Sequence, residues 1–416
     1  MMRLIFKYLF AVLMITLLPA MKAEAGMKFS KSEIKILQET KVNEVTARVV
    51  WQSYPREVHK NAKRDGHGNG AVARLAVIRT DRGEGIGLIN KDDLTNIVFR
   101  GNFSSASRKK IPLAGRTVWE LIDPETMLVS QAFAQYEMAV YDLIGVVLKK
   151  PFYELFGKPA AKKVVCYTGM IYLEDLEFQT KEEGIAKIIA DCQQDYDLGY
   201  RHFKVKLGRG AKWMSHDEGL QRDIDVTQAI HKHFSDATIL VDPNDQYSLE
   251  DCITYLEGVK NIDLFWLEEP FTENFEKYQQ LNEWVKVNMP SLLIADGEFD
   301  PQIEELDKLM KAGLVNVYCE DTNQFGYSVA EGQFAFTKWI ERMPKLKEMK
   351  VQASPHAWGS LVKTVYAAML GLAFGNVPMI EGVTSTCSDL DYGFKLENGY
   401  FIPEGKPGFG ITLKTR

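Results

Sequence analysis

From position 202 onward one pattern repeats along the chain. A short apolar run ends in a charged or polar cluster, and a helix-length amphipathic stretch follows. The runs close on Lys204-Val205-Lys206, Asp242-Pro243-Asn244, Glu268-Glu269-Pro270, Asp296-Gly297-Glu298, Glu320-Asp321, Ser354-Pro355-His356 and Glu381. From Lys206 the successive ionisable positions are 36, 26, 30, 23, 35 and 25 residues apart, the length of one strand-helix unit each time. Seven such units, with a candidate first strand over 163–168, predict an α/β fold of the parallel (β/α)-barrel type. In such a barrel the strand C-termini converge on one face, where active sites lie. An open doubly wound sheet would not aim so many ionisable strand ends at a single point.

A barrel uses typically about 250 residues, and the chain has 416. The segment before it reads as strands over 33–37, 42–50 and 71–79, the last running through Thr80-Asp81-Arg82-Gly83 into Gly85-Ile86-Gly87 as a hairpin. Helical patterning is expected over 119–148, with apolar residues at Leu121, Met127, Leu128, Ala132, Ala139, Val140 and Leu143. Sheet followed by helix predicts an α+β module, left through Pro151, Gly157 and Pro159.

The first 25 residues read as a signal peptide. Arg3 and Lys7 precede an apolar run over 8–20, and Ala23-Glu24-Ala25 supplies a small-x-small cleavage pattern. The run falls short of the roughly 20 residues needed to span a bilayer, so the expectation is an exported, periplasmic protein with no stable membrane insertion after cleavage. A net charge of −6 and a pI near 5.8 give no basic surplus, which argues against nucleic acid as a partner. Cys166, Cys192, Cys252, Cys319 and Cys387 are widely spaced with no C-x-x-C, which argues against a zinc knuckle and a disulfide framework.

Asp242, Glu268 and Glu298 end three consecutive strands, and adjacent strands would bring their carboxylates within a few ångströms. Three such charges need a cation, and all-oxygen ligation without His or Cys selects Mg²⁺. Lys204 and Lys206 alternate with Val205, so both face the barrel mouth or both face the helices. Outward burial of two ammonium groups would cost several kcal/mol each, so the mouth is expected. There a dense positive field can depress the pKa of Lys206 enough for it to act as a base. Asp321 and His356 could pair on the other side, the carboxylate fixing the imidazole tautomer. Glu381 could donate a hydrogen bond to a substrate carboxylate if its apolar neighbours raise its pKa. A metal flanked by two bases suits removal of the α-proton of a small-molecule carboxylate through an enediolate.

These motifs, in this order, resemble the mandelate racemase/muconate lactonizing enzyme family of the enolase superfamily over nearly all of the chain after the leader. Lys204-x-Lys206, Asp242-x-Asn244, Glu268-Glu269-Pro270, Gly297-Glu298, Asp321 with Gly326, His356 and Glu381 carry the resemblance. So do the stretches 131–145 and 151–157 and the close Ile402-Pro403 to Pro407-Gly408-Phe409-Gly410-Ile411. After the signal peptide over 1–25, the expected organisation is an α+β capping domain over 26–162, a modified TIM barrel over 163–385, and, as the resemblance implies, a segment over 386–416 returning to the capping domain. It implies Asp242, Glu268 and Glu298 as Mg²⁺ ligands, Lys206 as one base, and His356 with Asp321 as a dyad. Lys204 would lower the Lys206 pKa and bind the substrate carboxylate, with Asn244 also lining the substrate site. The dyad, with no lysine on those strands, resembles the mandelate racemase branch. Asp296, just before Gly297-Glu298, leaves a ligand swap open.

Arg56, His59, Lys60, Lys63, Arg64 and His67 read as a mobile basic lid suited to a polar, anionic substrate. The leading expectation is acid-sugar dehydration to a 2-keto-3-deoxy acid. The alternative is a racemase or epimerase of a 2-hydroxy acid using the same bases, and more remotely an exported sugar-acid binding protein without turnover. A metal-dependent hydrolase would require histidine-rich strand ends, and only one strand end carries a histidine. A homo-oligomer is the expected assembly.

Overall fold

The computed structural model describes residues 25–89, 113–298, 301–322 and 335–414. The leader over 1–24 and the Gly326-Tyr327 pair lie outside them. The first described element is helix α1 (Lys31–Glu39), where a strand was expected over 33–37. The cause is local. Ser30 accepts the Glu33 N–H at 3.3 Å, and the Glu33 carboxylate accepts the Ser30 N–H at 2.7 Å, a capping box that satisfies first-turn donors.

Strand β1 (Val42–Val58) pairs antiparallel with β2 (Gly68–Thr80), which turns at Thr80 and Gly83 into β3 (Gly83–Leu88). Strand β3 lies directly on helix α2 (Glu137–Leu148). A Cβ at Gly85 would sit 2.3 Å from the Ala139 carbonyl oxygen, so only glycine permits this approach. Helix α2 covers only the second part of the expected helical stretch. Before it come 3₁₀ turns around a two-strand bridge, Ile122–Asp123 with Leu128–Val129. Asp123 Oδ1 accepts the Glu125 and Thr126 N–H groups at 2.8 and 3.2 Å, a side-chain turn that outcompetes the helix next to Pro124.

Eight parallel strands follow among the described residues: β4 (Val164–Ile171), β5 (His202–Lys206), β6 (Thr238–Asp242), β7 (Leu264–Glu268), β8 (Leu293–Asp296), β9 (Val317–Tyr318), β10 (Gln352–Ala353) and β11 (Ile380–Gly382). Each of β4 to β9 pairs with its successor, and β11 pairs back onto β4. The seam between β10 and β11 is bridged where the Ala353 N–H donates to the Asn376 carbonyl at 2.9 Å. Helices α3 (Lys181–Asp197), α4 (His216–His233), α5 (Leu249–Val259), α6 (Phe275–Asn288), α7 (Ile303–Lys311), α8 (Phe336–Glu348) and α9 (Leu361–Phe374) form the outer layer. The fold is a modified TIM barrel with an N-terminal α+β capping domain. No helix among the described residues is long and apolar enough to cross a membrane.

After β11 the chain forms a hairpin, β12 (Phe394–Glu397) and β13 (Tyr400–Pro403), whose second strand pairs antiparallel with the start of β4. It then reaches α2. Buried Asp142 accepts the Ile86 N–H at 2.7 Å and the Phe409 N–H at 2.6 Å, joining sheet, helix and C-terminal segment at one carboxylate. A Cβ at Gly408 would lie 2.1 Å from Asp142 Oδ1. Phe409 stacks on Phe152 with ring centroids 4.8 Å apart and also meets Phe336 and Tyr366. Asp142→Ala leaves two buried N–H groups unpaired. It should lower unfolding stability by about 1–3 kcal/mol for each, read as a fall in the thermal midpoint with the far-UV spectrum retained.

Candidate active site

Strand alternation sends Lys204 and Lys206 to one side and Val205 to the other. The side is the barrel mouth. Lys204 Nζ lies 2.7 Å from Glu268 Oε1, 3.2 Å from Glu381 Oε1 and 3.6 Å from both Asp242 Oδ2 and Glu298 Oε2. Lys206 lies opposite Asp242 in the β5–β6 register and forms an ion pair with its Oδ2. Asp242, Glu268 and Glu298 each offer one oxygen, all within 4.8 Å of one another.

A divalent cation fits this arrangement. Two buried ammonium groups face four buried or nearly buried carboxylates, and Glu298 Oε2 is a buried oxygen with no hydrogen-bond partner. Glu268 is aimed by two donors, Lys204 and the Trp266 indole N–H at 3.0 Å. Asp296 is turned away, its carboxylate taken by the Tyr278 hydroxyl. It is not in the compact trio, so the ligand swap is not what this geometry favours. Asn244, with a left-handed φ of 50°, gives its N–H to Asp242 Oδ1 at 2.8 Å and its side-chain NH₂ to Glu269 at 3.2 Å.

At the far end of the trio His356 Nε2 lies 3.1 Å from Glu298 Oε1 and 3.4 Å from Glu381 Oε2, and its Nδ1 lies 3.1 Å from Asp321 Oδ2. Burial disfavours the charged ring, but Glu298, Glu381 and Asp321 together hold the His356 pKa above its ordinary value. Lys363, at the start of α9, donates to Asp321 Oδ2 at 2.7 Å. Motif reading missed this residue because it lies on a helix and not at a strand end. Its seven-residue distance from His356, in the first turn of the next helix, was the available signal.

Two expectations are corrected. Burial pushes the Glu381 carboxyl up, but Lys204 and His356, helped by the Ala357 N–H at 2.9 Å, bring it below the usual range, so Glu381 stays ionised and is an acceptor. For Lys206, burial pulls the ammonium down, but Asp242 and Glu298 outweigh burial and Lys204 and hold it above an ordinary lysine while those carboxylates are free. The expected basic lid is also different. Arg56 donates to both oxygens of Asp195 at 2.9 Å, Lys63 to Asp245 at 2.7 Å, and His59 and Lys60 pair with Glu174 and Glu177. These charges fasten the capping domain to the barrel and do not form an open positive field.

A model of the family described as enolase C-terminal domain-like matches residues 187–416. The chain belongs to that family. It is of the mandelate racemase/muconate lactonizing type within the enolase superfamily. A D-gluconate/D-galactonate dehydratase of Picrophilus torridus is 24% identical over 300 residues, 69% of this chain and 70% of the relative. Galacturonate dehydratase from Geobacillus sp., solved with D-galacturonate and 5-keto-4-deoxy-D-galacturonate, superposes with a TM-score of 0.79 at 27% identity, covering 91% of this chain and 95% of that one. A mandelate racemase/muconate lactonizing protein from Geobacillus sp. complexed with magnesium and tartrate gives 0.79 at 27%, covering 91% and 94%.

One electrostatic consequence of this enolase-family site can be measured without substrate. Burial raises the Asp321 pKa, but Lys363 and His356 outweigh it and hold the folded value at about 2, against about 3.9 in an unfolded chain. Its stabilisation is therefore complete above pH 4 and lost as pH falls toward 2, up to about 2 kcal/mol. Asp321→Asn should flatten the acid limb of the stability curve between those pH values; an unchanged limb in acid unfolding would refute the assignment.

Proposed function

We propose that this enzyme is a lyase that dehydrates a polyhydroxy carboxylate to its 2-keto-3-deoxy acid. The observation that carries the proposal is the line of groups across the barrel mouth: an amine at Asp242, three clustered carboxylates, and an imidazole at Glu298. Asp242, Glu268 and Glu298 would hold Mg²⁺, which supplies positive charge to stabilise the anion that develops on a substrate carboxylate. Lys204 binds the same carboxylate group. Lys206 Nζ takes the α-proton, and the C–H electron pair moves toward the carboxyl carbon. His356, carrying a proton at Nε2 and fixed at Nδ1 by Asp321, then gives that proton to the β-hydroxyl as the C–O bond breaks and water leaves. The resulting enol tautomerises to the 2-keto acid. The acid-sugar substrates named for the dehydratase relatives support this reading.

The same pair of groups on either side of one carbon also suits racemisation, and an amino-acid epimerase and a racemase stand among the relatives. Incubation with Mg²⁺ and a panel of D-galactonate, D-gluconate, D-arabinonate and D-galacturonate in D₂O separates the two. A 2-keto product is expected, and deuterium at the α-carbon without it would replace dehydration by racemisation. Lys206→Ala and His356→Asn should each lower product formation at least about 10²-fold. Exhaustive chelation should abolish it, with recovery on adding Mg²⁺; activity surviving chelation would overturn the ligand assignment.

A further inference from the structure

His67, on the capping-domain loop, takes no part in the chemistry above, yet it is held rigidly beside it. Its ring packs edge-on against Tyr172 at 4.6 Å and Trp358 at 4.9 Å between centroids. Tyr172 in turn lies 5.7 Å from Lys206 Nζ, and Trp358 follows His356 by two residues. Tyr54 completes the wall, meeting Trp358 at 6.1 Å and donating its hydroxyl to the Gly359 carbonyl at 3.3 Å. The capping loop therefore meets both ends of the catalytic line through one aromatic cluster.

The tautomer of His67 follows from its one hydrogen bond. Nδ1 lies 2.8 Å from the His59 carbonyl oxygen, which can only accept, so Nδ1 carries the proton. Nε2 has no partner among the described residues and is left with a lone pair. Burial, reinforced by the nearby Lys206 charge, pushes the His67 pKa down to about 4, so at neutral pH the ring is uncharged and Nε2 accepts. Such a nitrogen repels a carboxylate and welcomes a hydroxyl.

On the proposed reaction, the carboxylate and the α- and β-carbons of a substrate are taken up by the carboxylate trio, the lysines and His356. On the cap side, His67 packs on Tyr172, which borders Lys206, and the His67 ring feels the charges of Lys206 and Glu298. We propose that His67 Nε2 accepts a hydrogen bond from a substrate hydroxyl beyond the β-carbon, making this residue a selector of polyhydroxylated acids over short ones. The inference rests on the reading of the site given above, and it adds the part of the substrate that the barrel alone does not address. His67 is half-buried, and an acceptor that a bound ligand encloses discriminates against a ligand that leaves it unpaired.

The test is calorimetric binding to the full protein with Mg²⁺, comparing D-galactonate, D-gluconate and D-galacturonate with glycerate, which has only the α- and β-hydroxyls. Wild-type protein should bind at least one of the longer acids more tightly than glycerate. His67→Phe, which keeps an aromatic ring in the cluster, should weaken that acid roughly 10- to 100-fold and leave glycerate affinity in place. His67→Gln, which restores an acceptor, should recover part of the loss. Equal weakening of both ligands, no effect on the longer acid, or no binding of any panel member to wild type would overturn the assignment. Formation of 2-keto product is scored separately: binding that depends on His67 without product would refute dehydration alone, and product with unaltered His67→Phe binding would refute the role of His67 alone.

Discussion

Lys204 is the charge around which the barrel mouth is built. It is 1% exposed, and an isolated ammonium at that depth would cost several kcal/mol. What makes it tolerable is that parallel strands deliver carboxylates from β6, β7 and β11, and from the loop after β8, to one point. The converse also holds, because without Lys204 those acids would repel one another. Burial drives the Glu268 pKa up to about 8 although Lys204 touches it, so this enclosed carboxyl is costly to ionise. A cluster of enclosed carboxylates in which one Glu298 oxygen lacks a hydrogen bond is an arrangement that a hard cation would complete.

The capping domain is held to this mouth by charge and by backbone geometry together. Arg56 forks onto Asp195, whose other contacts are the Thr168 hydroxyl at 2.7 Å on β4 and the Thr384 hydroxyl at 3.1 Å after β11. One guanidinium thus ties the cap to the place where the first and last barrel strands meet. At the opposite end of α2, Glu137 accepts the N–H groups of Ala335, Phe336 and Thr337 at 2.7–2.9 Å and caps α8 from outside the barrel. With Asp142 gripping the C-terminal segment, the two domains share carboxylate clamps, and aromatic side chains such as His67 are thereby fixed over the strand ends.

What could be read from the sequence follows from this division. Strand ends recur once per strand-helix unit, so Asp242, Glu268, Glu298, Lys206, Asp321 and His356 announce themselves by position. The barrel topology, once recognised, brings them together without knowledge of a single loop. The cap has no period. Its α1 helix was hidden because only one residue, Leu37, is buried fully among nine, and the Ser30 capping box was a stronger signal than the apolar run that suggested a strand. The lid was misread for a different reason: a run of basic residues looks the same whether it faces solvent or pairs with acids more than a hundred positions away, as His59 does with Glu174. Lys363 was passed over because it lies on a helix and not at a strand end, and His67 was grouped with the lid charges because its hydrogen bond to the His59 carbonyl leaves no pattern along the chain.

The two bases are poised unequally, and the difference assigns the direction of the proposed chemistry. His356 has acceptors at both ring nitrogens, Asp321 on one side and Glu298 with Glu381 on the other, and all three favour the imidazolium. Such a ring holds its second proton more tightly than a free imidazole. Lys206 is raised chiefly by Asp242 and Glu298, both of which belong to the carboxylate trio. Any cation held by that trio competes for the same negative charge, while Lys204 continues to repel the neighbouring ammonium. A cation held by Asp242, Glu268 and Glu298 would draw on the charge that raises Lys206, while His356 would keep its Asp321 partner at Nδ1. The proposed dehydration needs that order, an amine to take the α-proton and an imidazole to give one to the leaving hydroxyl.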